Sequence, residues 1–281
     1  MKQNFNKIQN SFTESKNNSF IAYITAGDYP KNKSINYTVE CALALLENNV
    51  GILELGLPFT DPIADGPIIQ AAHYRALDNN FKTDDILVCL ERIRKHNNKP
   101  IILMGYANPI IQLINNNKLK NLSDYGLDGI LTVDMIPNNN INNNFYHDAC
   151  INSDLSPIYI VTPNTDNKRL EIILNKAQNT NKPGFIYYAM RSGVTGFNDK
   201  NLNNKKNNFV SEKIANHIKY IKTKTKLPIA AGFGIKNKDM AKQTLAIADG
   251  FISGSYFVQA MADNISPENL IKLAMDLDPN K

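Results

Sequence analysis

Residues 53–70, LELGLPFTDPIADGPIIQ, place three carboxylates inside an apolar stretch of chain. Glu54 has leucine on both sides, and Asp61 and Asp65 follow among proline, isoleucine and alanine. Apolar surroundings disfavour the charged form of a carboxyl and raise its pKa towards neutrality. A carboxyl in that range can both donate and accept a proton, so Glu54 is the first candidate for acid–base chemistry.

The second carboxylate of the stretch has a different setting. Asp65 lies in a segment broken by proline and glycine and is predicted to stay ionised. Two carboxyls in unlike environments can divide acid and base duties. The alternatives are structural: Glu54 in an ion pair inside the fold, and Asp65 as a turn residue before Gly66. Asp61, which precedes Pro62, is more typical of a turn.

The elements that must position these residues form a regular alternation. Eight short apolar runs read as strands buried on both faces, which is typical of a parallel sheet. They cover residues 20–27, 51–56, 100–106, 128–134, 157–163, 184–190, 228–234 and 249–255. Amphipathic segments follow at residues 34–48, 83–96, 169–178, 211–223, 239–247 and 267–275. Eight such units predict a (β/α)₈ barrel. A doubly wound open sheet is the alternative, and the lack of GxGxxG after the first strand argues against it.

In a (β/α)₈ barrel the active site lies at the carboxyl ends of the strands. Glu54 and Asp65 belong to that end, with Tyr106 and Asn108 after the third run. Tyr187, in the sixth run, could present its hydroxyl there, although packing is the more usual role of a buried tyrosine.

Glycines mark the ends of the seventh and eighth runs, in GFGI at residues 232–235 and ISGS at residues 252–255. Barrel enzymes often bind phosphate with these two loops and a short helix start. Glycine lets backbone N–H groups approach an anion closely. We therefore predict a phosphate site here, to which Gly193 and Gly196 could contribute; the alternative is that the glycines only turn the chain.

The composition of the chain argues against several classes of protein. The 281 residues carry a formal net charge of +5, and the basic residues are scattered, which does not favour nucleic-acid binding. The three cysteines form no CxxC pair, the first residues have no apolar core of a signal peptide, and no apolar run reaches about 18 residues. We expect a cytoplasmic protein with buried thiols. The four histidines have no metal-ligand spacing, so no metal is expected.

Several motifs occur in one order along residues 18–262. They are ITAGD (24–28), LELGLPFTDPIADGPIIQ (53–70), LMGYANPI (103–110), YYAMRSGVTG (187–196), PIAAGFGI (228–235) and ISGS (252–255). Together they resemble the tryptophan synthase alpha subunit family. The resemblance implies a (β/α)₈ barrel and retro-aldol cleavage of indole-3-glycerol phosphate to indole and glyceraldehyde 3-phosphate. It implies no cofactor in this subunit, and a beta subunit that carries pyridoxal phosphate in an alpha2-beta2 heterotetramer.

The resemblance also assigns roles to individual residues. Glu54 would exchange protons with indole C3 and the glycerol C3′ hydroxyl, Asp65 would stabilise charge at the ring nitrogen, and Tyr187 would lie beside Glu54. The remaining assignments are Tyr23 and Met104 at the indole, Gly196, Gly234, Gly254 and Ser255 at the phosphate, Thr195 on a mobile loop that reaches Asp65, and Pro58, Asp61 and Asn108 at the partner.

Two departures from the family pattern stand out. Asn138 and Asn139 occupy places where acidic residues are common, and residues 197–209 form a long Asn/Lys-rich insert. We expect a single barrel domain over residues 1–281. Two other functions stay open: a catalytically weak barrel that mainly binds and activates the beta subunit, and another phosphate-binding barrel enzyme, such as an isomerase or an indole-glycerol phosphate synthase. The intact Glu54 and Asp65 argue against the first of these.

Overall fold

A computed structural model gives the architecture of the chain. It describes residues 6–13, 19–31, 33, 35–135, 137, 145–190, 209–232 and 234–279. Several positions singled out above lie outside these residues: Asn138, Asn139, Arg191, Gly193, Thr195, Gly196 and the predicted insert up to residue 208.

Eight parallel strands close into a barrel in simple chain order, as predicted. They are β1 (Ser19–Thr25), β2 (Ile52–Gly56), β3 (Ile101–Gly105), β4 (Gly129–Thr132), β5 (Ser156–Val161), β6 (Ile186–Ala189), β7 (Ile229–Gly232) and β8 (Gly250–Ser253). The ring closes where Ser19 of β1 lies opposite Gly250 of β8. The open-sheet alternative is therefore wrong, because every strand is paired on both sides and the sheet has no edge.

Twelve helices accompany the strands in the described residues. They are α1 (Lys7–Thr13), α2 (Ile35–Leu46), α3 (Pro67–Asp78), α4 (Asp85–Arg94), α5 (Ala107–Asn115), α6 (Leu119–Asp124), α7 (Phe145–Asn152), α8 (Asn167–Gln178), α9 (Glu212–Lys224), α10 (Lys238–Leu245), α11 (Ser255–Ala262) and α12 (Pro267–Leu277). The six predicted helical segments match α2, α4, α8, α9, α10 and α12. The others were not predicted; α3 in particular begins with Pro67 at its first position, where proline is compatible with a helix.

The interior of the barrel is filled from its amino-terminal end. Inward side chains of the strands, including Ile21, Ile52 and Leu131, pack with Ile8 of α1. Phe12 of the same helix meets Phe185, with ring centroids 5.6 Å apart. Helix α1 therefore covers one mouth of the barrel, and the carboxyl-end mouth is left for ligands.

Helix α3, which follows the acidic stretch, is fastened to the loop after β1. Arg75 on α3 donates two hydrogen bonds to the buried Asp28, at 2.7 and 3.0 Å. Asn79 donates its side-chain amide to the carbonyls of Gly27 and Tyr29 at 3.0 and 2.8 Å. Burial raises the pKa of Asp28, and the Arg75 guanidinium acts in the opposite direction. These contacts fix the position of α3. The loop that contains Asp65 ends where this helix begins.

We expect Arg75→Met to lower the free energy of unfolding by about 2–3 kcal/mol at pH 7, because it leaves the buried Asp28 carboxylate unpaired. This loss in the free energy of unfolding is smaller than that expected for a fully buried pair, since the Arg75 side chain is 35% exposed. Loss of Arg75 raises the pKa of Asp28 further, so the deficit should shrink at acid pH, where Asp28 can take up a proton.

Urea unfolding at pH 5 and pH 7 measures this effect. Arg92→Met is the matched control, since Arg92 donates a hydrogen bond to the exposed Asn36, and it should change the free energy by no more than about 0.5 kcal/mol. An R75M chain as stable as the native one at pH 7 would contradict the role given to the pair.

Candidate active site

A cavity opens at the carboxyl ends of the strands. Its lining consists of Tyr23, Glu54, Asp65, Ile69, Met104, Tyr187, Gly234, Ile252, Gly254 and Ser255. Eight of these ten were candidates from the sequence, and the fold brings them together from β1, β2, β3, β6 and the loops around β7 and β8. The other two, Ile69 and Ile252, add apolar wall.

Glu54 lies in the middle of β2 with its side chain in the barrel mouth. It is 1% exposed, and its strand register places it between Tyr23 of β1 and Ile102 of β3. Burial raises its pKa to about 8, and the negative charge of Asp65 adds to that rise. Among the described residues its Oε1 has no hydrogen-bond partner. This is a carboxyl that holds its proton near neutral pH and has one oxygen available to a ligand.

Asp65 is buried as well, at 3% exposure, although it lies in a segment broken by proline and glycine. The Tyr106 hydroxyl donates a hydrogen bond to its Oδ2 at 2.7 Å. The Nε2 of His73 lies 3.3 Å from the same oxygen. The Ala64 N–H in turn donates to the Tyr106 hydroxyl at 3.0 Å, so that hydroxyl has its proton free for Asp65. Donors in place of water hold this carboxylate.

Two tyrosines complete the polar part of the cavity. Burial raises the pKa of Tyr187 well above its ordinary value, and the charges of Glu54 and Asp65 act in the same direction. The phenol is therefore neutral and can donate a hydrogen bond. Tyr23 shares a hydrogen bond with Thr25 at 3.1 Å. Its ring occupies the space above Gly56, where a Cβ would overlap it.

The glycines after β7 and β8 form a concave backbone surface. Gly234 has φ +73°, and a Cβ there would meet nothing within 4 Å. Gly254 is the N-cap of α11, which begins at Ser255. The first N–H groups of a helix have no carbonyl partners within it, and the helix dipole adds partial positive charge. This arrangement suits a phosphate group.

The three predicted partner residues lie at the same end of the barrel. Asp61 and Asn108 are exposed, and Pro58 is half-buried. Ile63, in the same loop, is 75% exposed. The loop after β2 thus has its carboxylate Asp65 inside the cavity and an apolar and acidic surface outside.

Sequence reasoning missed His73, which it grouped with the other histidines as scattered. The signal was present: Asp65, Ile69 and His73 are spaced four residues apart, which is one face of a helix. The helix was not recognised because Gly66 and Pro67 read as loop. Tyr106 was noted at the end of its strand, but its contact with Asp65 depends on two separate loops meeting.

The family model described as tryptophan synthase alpha chain matches residues 9–276 of the chain. The chain belongs to the tryptophan synthase alpha chain family. The tryptophan synthase alpha chain of Chlamydia felis is 38% identical over 277 residues, which cover 98% of this chain and all of that one. The Coxiella burnetii (strain CbuK_Q154) alpha chain is 37% identical over 276 residues, 98% of each chain. The solved tryptophan synthase A-subunit of Pyrococcus furiosus superposes with a TM-score of 0.76 at 30% identity, over 92% of this chain and 97% of that one.

Membership confirms the family indicated by the motifs and makes the chain a lyase of tryptophan biosynthesis. The comparisons do not favour the catalytically weak barrel, and they give no support to an isomerase or an indole-glycerol phosphate synthase. In the described part of the chain, no helix has the length and apolarity to cross a membrane. The same residues hold no group of three or more His, Cys, Asp or Glu side chains that could bind a metal.

We expect a stability difference between Glu54→Gln and the native chain that grows with pH. The native state keeps the Glu54 proton up to about pH 8, whereas the unfolded chain releases it near 4.5. The contribution of the protonated carboxyl is therefore complete below pH 4.5 and is lost as pH rises through 8. The variant should gain about 4 kcal/mol relative to the native chain across this window.

Urea unfolding of both proteins from pH 5 to pH 9 measures the difference. A ¹³C NMR titration of the Glu54 carboxyl in the native chain gives the midpoint directly. A midpoint near 4.5, or a stability difference that does not vary with pH, would contradict the raised pKa.

Proposed function

We propose that this chain cleaves indole-3-glycerol phosphate to indole and glyceraldehyde 3-phosphate. The observation that carries the proposal is the pair of buried carboxyls in one cavity, Glu54 with its raised pKa and Asp65 with a hydrogen bond from Tyr106 and the Nε2 of His73 3.3 Å away. Family membership supplies the reaction class, and the glycine surface at Gly234 and Gly254 supplies a place for the phosphate.

Glu54 serves as acid and then as base. Its proton goes to C3 of the indole ring, and the ring nitrogen becomes positively charged. The ionised Glu54 then takes the proton of the C3′ hydroxyl. The bond between C3 and C3′ breaks, its electron pair returns to the ring, and the C3′–oxygen bond becomes the aldehyde carbonyl. A pKa of about 8 suits both proton transfers near neutral pH.

Asp65 stabilises the charge at the ring nitrogen. A fixed carboxylate in a water-excluded cavity interacts strongly with a cation that exists only along the reaction path. Met104 and Ile69 provide an apolar wall for the ring, with Tyr23 beside them, and the Tyr187 hydroxyl lies near Glu54. We assign the phosphate to the backbone at Gly234, Gly254 and Ser255. Gly196 is a further proposed phosphate residue, and Thr195 is proposed to reach Asp65; both lie outside the described residues.

We further propose a beta subunit as partner, in an alpha2-beta2 heterotetramer in which the beta subunit carries pyridoxal phosphate. A tryptophan synthase complex from Pyrococcus furiosus includes a chain that superposes with a TM-score of 0.75 at 30% identity. Pro58, Asp61 and Asn108 are the proposed contacts. The whole chain is taken as one barrel domain, and its three buried free cysteines suit the reducing cytoplasm.

The decisive assay is indole release from indole-3-glycerol phosphate, with and without a beta subunit. The chain contains no tryptophan, so indole fluorescence has little protein background. We expect Glu54→Gln and Asp65→Asn each to lower kcat by about 10²–10⁴, the usual worth of acid–base and charge-stabilising groups. Glu91→Gln, an exposed glutamate on α4, is the matched control and should retain full activity. Unchanged indole release by E54Q would rule out this mechanism.

Charge reversal at the proposed partner surface should weaken assembly. We expect Asp61→Lys to raise the Kd for the beta subunit about 10-fold or more, through loss of a favourable charge and gain of an unfavourable one. Asp124→Lys, at the end of α6, controls for the net charge. Titration calorimetry measures the Kd of each variant for the beta subunit. Equal affinities for the two variants would contradict the assignment of Asp61 to the interface.

A further inference from the structure

His73 has a defined tautomer because of its backbone partner. The N–H of Phe59 points at its Nδ1, with 3.1 Å between the two nitrogens. A backbone N–H can only donate, so Nδ1 accepts and carries no proton. The neutral ring therefore has its proton on Nε2, the nitrogen that lies 3.3 Å from Oδ2 of Asp65. The imidazole is 2% exposed, so this contact is shielded from water.

Both donors to Asp65 from the described residues meet the same oxygen. The Tyr106 hydroxyl reaches Oδ2 at 2.7 Å, and His73 approaches that oxygen from α3. The two rings also touch edge to face, with centroids 6.2 Å apart. Tyr106 and His73 thus approach one oxygen of Asp65 from two different elements, and the proposed reaction assigns the other oxygen, Oδ1, to the N–H of the indole.

Phe59 connects this arrangement to the outer surface. Its backbone holds His73, and its ring stacks on Tyr106 with centroids 5.1 Å apart and an interplanar angle of 25°. Pro58 precedes it and Asp61 follows two residues later, both at the proposed partner surface. A shift of this loop therefore acts on both groups that orient Asp65.

We infer that His73 is a positioning residue: its Nε2–H orients the Asp65 carboxylate, and its Nδ1 transmits the position of Phe59, and hence of the bound partner, to that carboxylate. A ring kept only for packing would need neither contact. The inference rests on the proposed function, since it assigns the oriented carboxylate to the indole N–H.

Two substitutions separate the roles of the two ring nitrogens of His73. Asparagine reproduces the reach of Nδ1, so His73→Asn keeps an acceptor for the Phe59 N–H and loses the donor to Asp65. Glutamine reproduces the reach of Nε2, so His73→Gln keeps a donor to Asp65 and loses the acceptor for Phe59. The matched control is His147→Asn, since His147 on α7 contacts Tyr159 away from the cavity.

We expect H73N to lower kcat for indole release about 10- to 100-fold, with KM little changed, because it removes the Nε2–H that faces a charged group acting in the transition state. We also expect the beta subunit to raise indole release by the native chain. H73Q should keep more of the kcat of the isolated chain than H73N does, and it should lose most of that rise. H147N should behave as the native chain does in both assays.

Three outcomes would overturn the inference. H73N with native kcat would show that the donor is not needed. H73Q with native stimulation would show that the Phe59 contact transmits nothing. An equal loss in both variants with a lower Tm would assign His73 to packing.

A failure of the proposed function is distinguishable from these outcomes. In that case the native chain itself would release no indole, while ¹⁵N NMR of the His73 ring still tests the positioning contact. Asp65→Asn should move the Nε2 signal and leave Nδ1 unprotonated. An Nε2 signal that does not respond to this substitution would overturn the contact.

Discussion

The site depends on one constraint: a carboxyl is buried in the mouth of the barrel, and no cationic side chain of the described residues influences its pKa. Glu54 comes from the middle of β2, and the groups that influence its pKa are apolar burial and the negative Asp65. A lysine or arginine at this place would hold the carboxylate ionised and remove the acid. The apolar neighbours of Glu54 are therefore part of its chemistry, and so is the cost in stability of keeping it there.

The second carboxyl is held in the opposite way. Asp65 accepts a hydrogen bond from Tyr106, and the Nε2 of His73 lies 3.3 Å from the same oxygen, so protein groups take the place of water there. These groups come from β3's end and from α3, and α3 is itself fixed by the pair of Arg75 with Asp28. The fold thus places two like groups in one cavity and gives them different environments, which is what a proton transfer beside a charge-stabilising group requires.

The sequence predicted the barrel and most of the cavity because both depend on local signals. Continuous apolar runs identify parallel strands, and the rule that barrel sites lie at strand carboxyl ends then collects Glu54, Tyr187 and the glycines near 234 and 254. What it could not predict depends on tertiary contacts. His73 and Tyr106 are distant in sequence from each other, and they meet only because Phe59 lies against both. The contacts of Asp65 were not predicted for the same reason, since Tyr106 and His73 reach it from other elements.

The distribution of charge across the cavity follows from these placements. Burial keeps Glu54 largely protonated near neutral pH, and the negative charge of Asp65 contributes to that effect. In the proposed reaction the substrate carries a negatively charged phosphate, for which the fold offers the positive end of α11 on the side of β8. The proposal thereby gives the phosphate and Asp65 separate places, so an anionic substrate does not bring its phosphate against the carboxylate. The same separation sets the proposed orientation, with the ring nitrogen towards Asp65 and C3 towards the proton of Glu54.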